Sequence, residues 1–260
     1  GFVMLDTVTL TALPGIPEVQ SGDDLAGLIV NSLEKAKLQL QAHDVVVIAQ
    51  KVVSKAEGRA VSLKDVVASP KSIDLANELN VDARKVEVIL AESASIVRTR
   101  AAAGPDEKGL LITKTLHGFI CANAGVDESN TGAEEVIITL PIDPDASAEK
   151  IRSTLEKRFN CEIGVIVTDT FGRPWRLGEV NVCIGLSGVP ALLDLMGLPD
   201  RDGRIMNVSM PALGDEIAAA SGLVSAKSKG LPVTLLRGLD WKASEQTGQS
   251  FLRPEKESVF

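Results

Sequence analysis

The residues best suited to chemistry sit in one stretch, Val165-Ile-Val-Thr-Asp-Thr-Phe-Gly-Arg-Pro-Trp-Arg176. It starts as an apolar, β-branched run, which reads as a buried strand. It then breaks into Asp169, Thr170, Gly172, Arg173, Pro174, Trp175 and Arg176. A carboxylate and a hydroxyl at a strand end can hold a hard cation, and two guanidiniums beside them can hold an anion. In α/β architectures ligands collect beyond the carboxyl ends of strands. The competing reading is a tight turn with a surface ion pair, although turns rarely need Trp and two Arg together.

Two further stretches have the same form. Gly118–Ala124 reads as a strand that runs on into Asp127, Glu128, Ser129 and Asn130. Four oxygen-bearing side chains in a row suit Mg²⁺ or Mn²⁺; an Asx-rich turn is the rival. Asp44–Ala49 reads as a buried strand that opens into Lys51, Lys55 and Arg59. Those three cations form either a phosphate-facing cluster or an exposed amphipathic segment. Phosphate-loop, dinucleotide-binding, zinc-protease, redox-dithiol and nucleophile-elbow motifs are all absent from the sequence. What remains is Asp127 and Asp169 as carboxylates, Thr170 and Asn130 as neutral oxygen donors, and Lys/Arg clusters. That set suits metal-assisted phosphate chemistry, in which a dication bridges phosphate oxygens and cationic side chains neutralise the transition state.

The elements that must position these groups are legible from periodicity. Met4–Leu10 alternates like a strand. Ser21 with Asp24 resembles a capping box, ahead of a helix with Leu25, Leu28, Ile29, Leu33, Ala36 and Leu40 at helical spacing. Helices are expected near Ser72–Leu79, Asp82–Ser93, Ala146–Phe159, Ala191–Met196 and Leu213–Val224. Strands are expected at Leu110–Lys114, Val136–Leu140 and Pro232–Leu236. Ala101–Lys108 reads as a mobile loop, Asp200–Arg204 as a charged turn, and the tail from Asp240 as loosely held.

The chain has 260 residues, enough for a sizeable core in one domain, with two subdomains as the alternative organisation. A formal charge of −8 argues against bulk nucleic-acid binding and against an anionic membrane surface. An anionic substrate must therefore be held by local Lys/Arg clusters. Cys121, Cys161 and Cys183 lie in apolar segments without metal-ligand spacing. They read as buried free thiols in a reducing, cytoplasmic compartment. No apolar run is long enough to span a bilayer, and no signal peptide is visible. His43 and His117 flank strands and read as structural.

Several ordered segments carry a resemblance: Val52-Val-Ser-Lys-Ala-Glu-Gly-Arg59, His117-Gly-Phe, Ala122-Asn-Ala-Gly-Val-Asp-Glu-Ser-Asn130, Thr168-Asp-Thr-Phe-Gly-Arg-Pro-Trp-Arg176 and Asp215-Glu-Ile-Ala-Ala-Ala220. Together, over nearly the whole chain, they resemble the coenzyme F-420-0: L-glutamate ligase family, the gamma-glutamyl ligases of a deazaflavin coenzyme. The resemblance implies an α/β fold of mixed sheets with flanking helices over 1–260, without the C-terminal flavin-reductase-like domain of some actinobacterial relatives. It implies a GTP-dependent ligase that joins L-glutamate to the carboxylate of F-420-0 through an acyl phosphate and adds further gamma-linked glutamates. It also implies a homodimer and a divalent metal, Mg²⁺ or Mn²⁺, as two ions. Asp127, Asp169, Arg173 and Arg176 are the expected catalytic residues, with Asp127, Asp169 and Thr170 as metal ligands. Leu13, Pro14, Gly15, Ile16, Gln50, Lys51, Lys55, Asn130, Val224, Ser225, Ala226 and Lys227 are the expected GTP contacts. The sequence departs from the family where Val224-Ser-Ala226 stands in place of Met-Gly-Gln, because Ala226 brings no oxygen to a second metal. It departs again where Gln50-Lys51 replaces small hydroxyl residues. Open alternatives are an amide ligase of the same fold with another acid acceptor or with ATP, and a non-catalytic deazaflavin- or nucleotide-binding protein.

Overall fold

Val45-Val-Val-Ile-Ala49 is apolar on both sides of the pleat, and a strand of that kind must be covered on both faces. The computed structural model, which describes residues 6–129, 134–207, 209–225 and 230–260, supplies both covers. In chain order the described residues form β1 (Thr9–Ala12), α1 (Leu25–Lys35), β2 (Val45–Ala49), α2 (Gln50–Ala56), β3 (Ala60–Ser62), α3 (Pro70–Leu79), α4 (Ala83–Ala91), β4 (Ser93–Arg100), β5 (Leu110–Thr115) and β6 (Ile120–Ala122). They continue with β7 (Asp127–Ser129), β8 (Val136–Ile138), α5 (Pro144–Phe159), β9 (Gly164–Arg173), β10 (Arg176–Ser187), α6 (Leu213–Ser221) and β11 (Val233–Arg237). The expected α/β class of mixed sheets with flanking helices is what the chain adopts.

The main sheet has the order β1-β11-β2-β9-β10, with β2 and β9 parallel and every other pair antiparallel. On one face Val46, Ile48, Val165, Val167, Val233 and Leu235 pack with Ile29 and Leu33 of α1 and Ile151 and Leu155 of α5. On the other, Val45, Val47, Ile166 and Leu236 pack with Leu213, Ile217 and Ala218 of α6. Two smaller sheets, β3-β8-β7 and β4-β5-β6, meet α3 and α4 in a third core around Leu79, Val86, Ile89, Leu111 and Val126.

Local signals set most helix ends. Ser69, Asp82 and Asp143 each cap a helix through a side-chain oxygen, and α3 and α5 carry Pro in the first turn. Left-handed Asn80 and Asn160 close them. At α1 the cap is Asp24, accepting from the Gly27 N–H at 3.1 Å, so the helix starts one turn later than a Ser21 cap implies.

Four expectations change. Ala191–Met196 is not helical: Gly188 and Pro190 precede it, and its N–H groups go elsewhere. Ala191 and Leu192 both donate to Gln246 Oε1 at 3.0 Å, and Leu193 donates to Pro211 O at 2.9 Å. The segment after Asp240 is pinned, with Trp241 buried and its Nε1 donating to His43 O at 2.9 Å. The first strand lies at Thr9–Ala12, with Met4 and Leu5 outside the described residues. Finally, Asp127 does not extend β6. Asn123, Ala124 and Gly125 have φ of 55°, 51° and 71°, and this left-handed run hands the chain to β7 in a different sheet. The 101–108 segment is a loop of turns and bends, and Asp200–Arg204 is a turn closed by Asp200 N donating to Arg204 O at 2.7 Å. No helix among the described residues is long and apolar enough to cross a membrane.

Candidate functional site

The parallel pairing of β2 with β9, Ala49 opposite Thr168, brings two strand exits to one edge of the sheet. Beyond it, Gln50 and Lys51 begin α2, while β9 continues into Asp169 and Thr170. The Asp127–Ser129 strand of the neighbouring sheet closes the third side. Together they line a cleft of about 880 Å³ that holds Ile16, Gln50, Lys51, Lys55, Asp127, Asp169, Thr170 and Ser225 among its walls. Residues from five separate parts of the chain thus share one space.

The two carboxylates are built alike. Asp127 Oδ1 accepts the Glu128 N–H at 2.9 Å, and Asp169 Oδ1 accepts the Thr170 N–H at 2.8 Å. Each is thereby oriented by the residue that follows it. Lys51 Nζ lies 3.5 Å from Asp127 Oδ2 and donates to Glu128 O at 3.1 Å. The Lys55 ammonium pairs with Glu18 on the loop that leads from β1 to α1. Gln50 is buried, and its Oε1 accepts from Ser54 Oγ at 2.9 Å. Thr170 Oγ1 donates to Asn181 Oδ1 at 2.9 Å across the β9–β10 pair. Burial pushes the Cys121 thiol up to about 12, and the nearby Asp169 charge adds to the shift. Cys121 is therefore a neutral wall of the cleft at physiological pH.

Other expected residues lie elsewhere. Arg173 and Arg176 face each other at the tip of the β9–β10 hairpin, and Arg173 Nη2 turns back to Leu177 O at 2.9 Å. Neither lines the cleft. Between them Trp175 takes a positive φ of 59° and lies 5.1 Å from the Phe260 ring. Arg59 leaves the basic cluster: it is held by both oxygens of Glu92 at 2.9 Å and by Leu140 O at 3.0 Å. Leu13 is a core residue, Pro14 O accepts from Ser32, and Gly15 turns the chain at φ 71° so that Ile16 reaches the cleft. Val224 follows α6 and is half-buried. Asn130, Ala226 and Lys227 lie outside the described residues.

The histidines take structural partners, His43 edge-on to Trp241 and His117 with Nε2 2.7 Å from Pro141 O. All three cysteines are free; Cys161 is half-buried rather than buried. Glu18, Cys121, Asn181, Ser221 and Thr234 also line the cleft, and no local spacing marks them in the sequence. A second cleft, of about 860 Å³, lies at the start of α5 and has His117, Asp145, Arg152 and Gln246 in its walls, without any expected ligand or phosphate contact.

Among the described residues, no three His, Cys, Asp or Glu side chains converge as a ready metal cage. At the strand exits the cleft offers the Asp127 and Asp169 carboxylates and neutral oxygens from Thr170, Ser129 and Asn181. A hard-oxygen set of low charge fits Mg²⁺ or Mn²⁺, which keep several waters and complete their shell with phosphate oxygens. The acidic residues and the lysines occupy the same walls, so dication and polyphosphate have complementary charge within one space.

Comparison with known proteins places this architecture. The family model described as F420-0:Gamma-glutamyl ligase matches residues 15–238. The chain is 46% identical over 236 residues to the coenzyme F420:L-glutamate ligase of Methanopyrus kandleri, covering 90% of this chain and 88% of that protein. It is 40% identical over 256 residues to that of Methanothermobacter thermautotrophicus, covering 97% and 98%. With that of Archaeoglobus fulgidus it shares 35% identity over 254 residues, covering 97% and 96%. The matched region contains β2, β9, β10 and β11 of the main sheet and the cleft walls from Ile16 to Thr234, and the chain belongs to the F420-0:gamma-glutamyl ligase family, a family of ligases.

Proposed function

We propose that this chain joins the amine of L-glutamate to the carboxylate of the deazaflavin coenzyme F-420-0, driven by GTP through an acyl phosphate, and adds further glutamates by the gamma carboxyl. One observation carries the reading: Gln50, Lys51, Lys55, Asp127, Asp169 and Thr170, distant in sequence, line one cleft at the carboxyl ends of β2 and β9. The family's relatives bear the name of the same ligation.

The chemistry needs such a space. A carboxylate does not condense with an amine in water, because the oxygen it must lose is a poor leaving group. Attack of a carboxylate oxygen on the γ-phosphorus forms the acyl phosphate and releases GDP. The amine then attacks the acyl carbon, phosphate departs, and the amine nitrogen loses a proton. Lys51 and Lys55 neutralise the polyphosphate during the first step. Asp127, Asp169 and the Thr170 oxygen would hold the Mg²⁺ or Mn²⁺, which would supply positive charge to the phosphate oxygens as charge builds on them. Ile16 and Ser225 line the same cleft as these polar walls. A homodimer is the assembly in which this chain is proposed to act, in the cytoplasm.

The test is mass spectrometry of the deazaflavin after incubation with GTP, Mg²⁺ or Mn²⁺ and glutamate. The expected product is heavier by one or more glutamyl residues, with phosphate released only when all three substrates are present. Phosphate release with no change in deazaflavin mass would remove the reading.

A further inference from the structure

Thr170 sits on β9 two and four residues beyond Thr168 and Ile166, so all three share the face that looks toward α6. Directly opposite, on β10, stands Asn181. The Thr170 hydroxyl donates to Asn181 Oδ1 at 2.9 Å, and both residues line the cleft. The amide is confined from the other side as well: a Cβ added at Gly222, just past α6, would lie 3.2 Å from Asn181 Nδ2. A hydroxyl has one proton and two lone pairs. Once its proton is committed to an amide oxygen, only lone pairs face the cleft. Such an oxygen can give a lone pair to a cation but cannot donate a hydrogen bond to a phosphate.

We propose that Asn181 is a positioning residue that accepts the Thr170 hydroxyl hydrogen bond and thereby orients the Thr170 oxygen with its lone pairs toward a divalent cation. The inference rests on the cation site of the proposed function and adds a partner to it. Outer partners that orient a ligand typically change metal affinity by about 10- to 100-fold. Asn181 reaches this role from the hairpin strand, eleven residues beyond its partner, by cross-strand register alone.

The experiment titrates the full-length chain with Mn²⁺ alone, without nucleotide, and reads free Mn²⁺ by electron paramagnetic resonance, with melting temperature as a check on folding. Asn181→Leu removes the acceptor and is expected to weaken Mn²⁺ about tenfold or more. Asn181→Asp, which can only accept, is expected to match or exceed the wild type. Asn181→Ala repeats the test if Leu disturbs packing against Gly222. The deciding variant is the double one: Thr170→Val with Asn181→Leu should bind Mn²⁺ no more weakly than Thr170→Val alone. Additive losses, or wild-type affinity in Asn181→Leu beside a weakened Thr170→Val, overturn the positioning role and leave the cation site standing. A wild type that binds no Mn²⁺, or a Thr170→Val variant that binds it normally, removes the cation site and the inference with it.

Discussion

Asp127 and Asp169 each place a carboxylate at the cleft and steady it on the next N–H, an arrangement that costs little and leaves the charge where a dication can meet it. Asp127→Asn and Asp169→Asn keep that N–H acceptor but lose a full charge. Each is expected to keep its fold and to lower ligation by more than the roughly 10- to 100-fold typical of an outer partner. Product formation at saturating Mg²⁺, with circular dichroism as the folding check, decides this. Near-normal turnover in either variant would remove that carboxylate from the metal's shell. Lys55 is a second case at this scale, since its ammonium already has a carboxylate partner in Glu18. A charge-assisted contact to phosphate is worth about 1.5–3 kcal/mol, so Lys55→Ala should weaken GTP about tenfold or more. Glu18→Gln takes away the competitor and should tighten GTP. Calorimetry on the two proteins checks both directions.

The β9–β10 hairpin is the element on which the cleft depends. It carries Asp169, Thr170 and Asn181, and its register shifts between Cys183 and Gly185. The shift is held from both sides: Cys183 N donates to Asp215 Oδ1 and Leu186 N to Asp145 Oδ1, both at 2.9 Å. Gly185 belongs there because an added Cβ would lie 2.4 Å from the Pro144 carbonyl carbon, a contact with backbone that cannot yield. Gly185→Ala should therefore destabilise by about 1–3 kcal/mol, read as a lower denaturation midpoint at unchanged slope. Burial pushes the Asp215 carboxyl above its ordinary range, against the lowering effect of the Cys183 N–H. The folded chain then binds that proton more tightly than the unfolded chain. This group's contribution to stability therefore falls as pH rises from the ordinary carboxylate range through the raised value. Asp215→Asn keeps an oxygen for Cys183 N and is expected to melt above the wild type at pH 7, with the gap closing toward about pH 4. A gap that does not change with pH would assign the difference to something other than this proton.

At the scale of the whole molecule, three cores share the load, and the C-terminal segment ties the main sheet to its surroundings. Trp241 fills the α6-side core and bonds His43 O; Ser244 pairs with Gly188; Gln246 holds Ala191 and Leu192; Gly248 N reaches Asp145 Oδ1 at 2.7 Å. Asp44, almost fully buried, takes two bonds from Arg237 at 2.9 and 2.8 Å, which pins the start of β2 to the end of β11. Trp241→Ala should cost about 3–5 kcal/mol, as large-to-small changes in a core do. Thermal unfolding measures it, and a loss below about 1 kcal/mol would show that the tail only decorates the fold.

The sequence by itself determined the parts. Apolar β-branched runs marked β2 and β9, helical patterning marked α3, α4 and α5 to within a few residues, and carboxylates, hydroxyls and cations named the exits from which the cleft is built. These are local properties, because burial pattern and capping are written within a dozen neighbouring residues. It did not determine which parts meet. That β2 lies beside β9 in parallel, so that Gln50 and Asp169 open on the same edge, depends on pairing across more than a hundred residues. That Asp127 arrives from another sheet follows from the left-handed turn at 123–125, and that Arg173 and Arg176 ride outward follows from the length of the hairpin. Ala191–Met196 lost its helix, and the tail gained its hold, through the same long-range contacts with Gln246. Asn181 has no signature of its own in the sequence; only cross-strand register sets it against Thr170. Register and pairing come from packing between distant segments, and that packing exists only once the chain has folded.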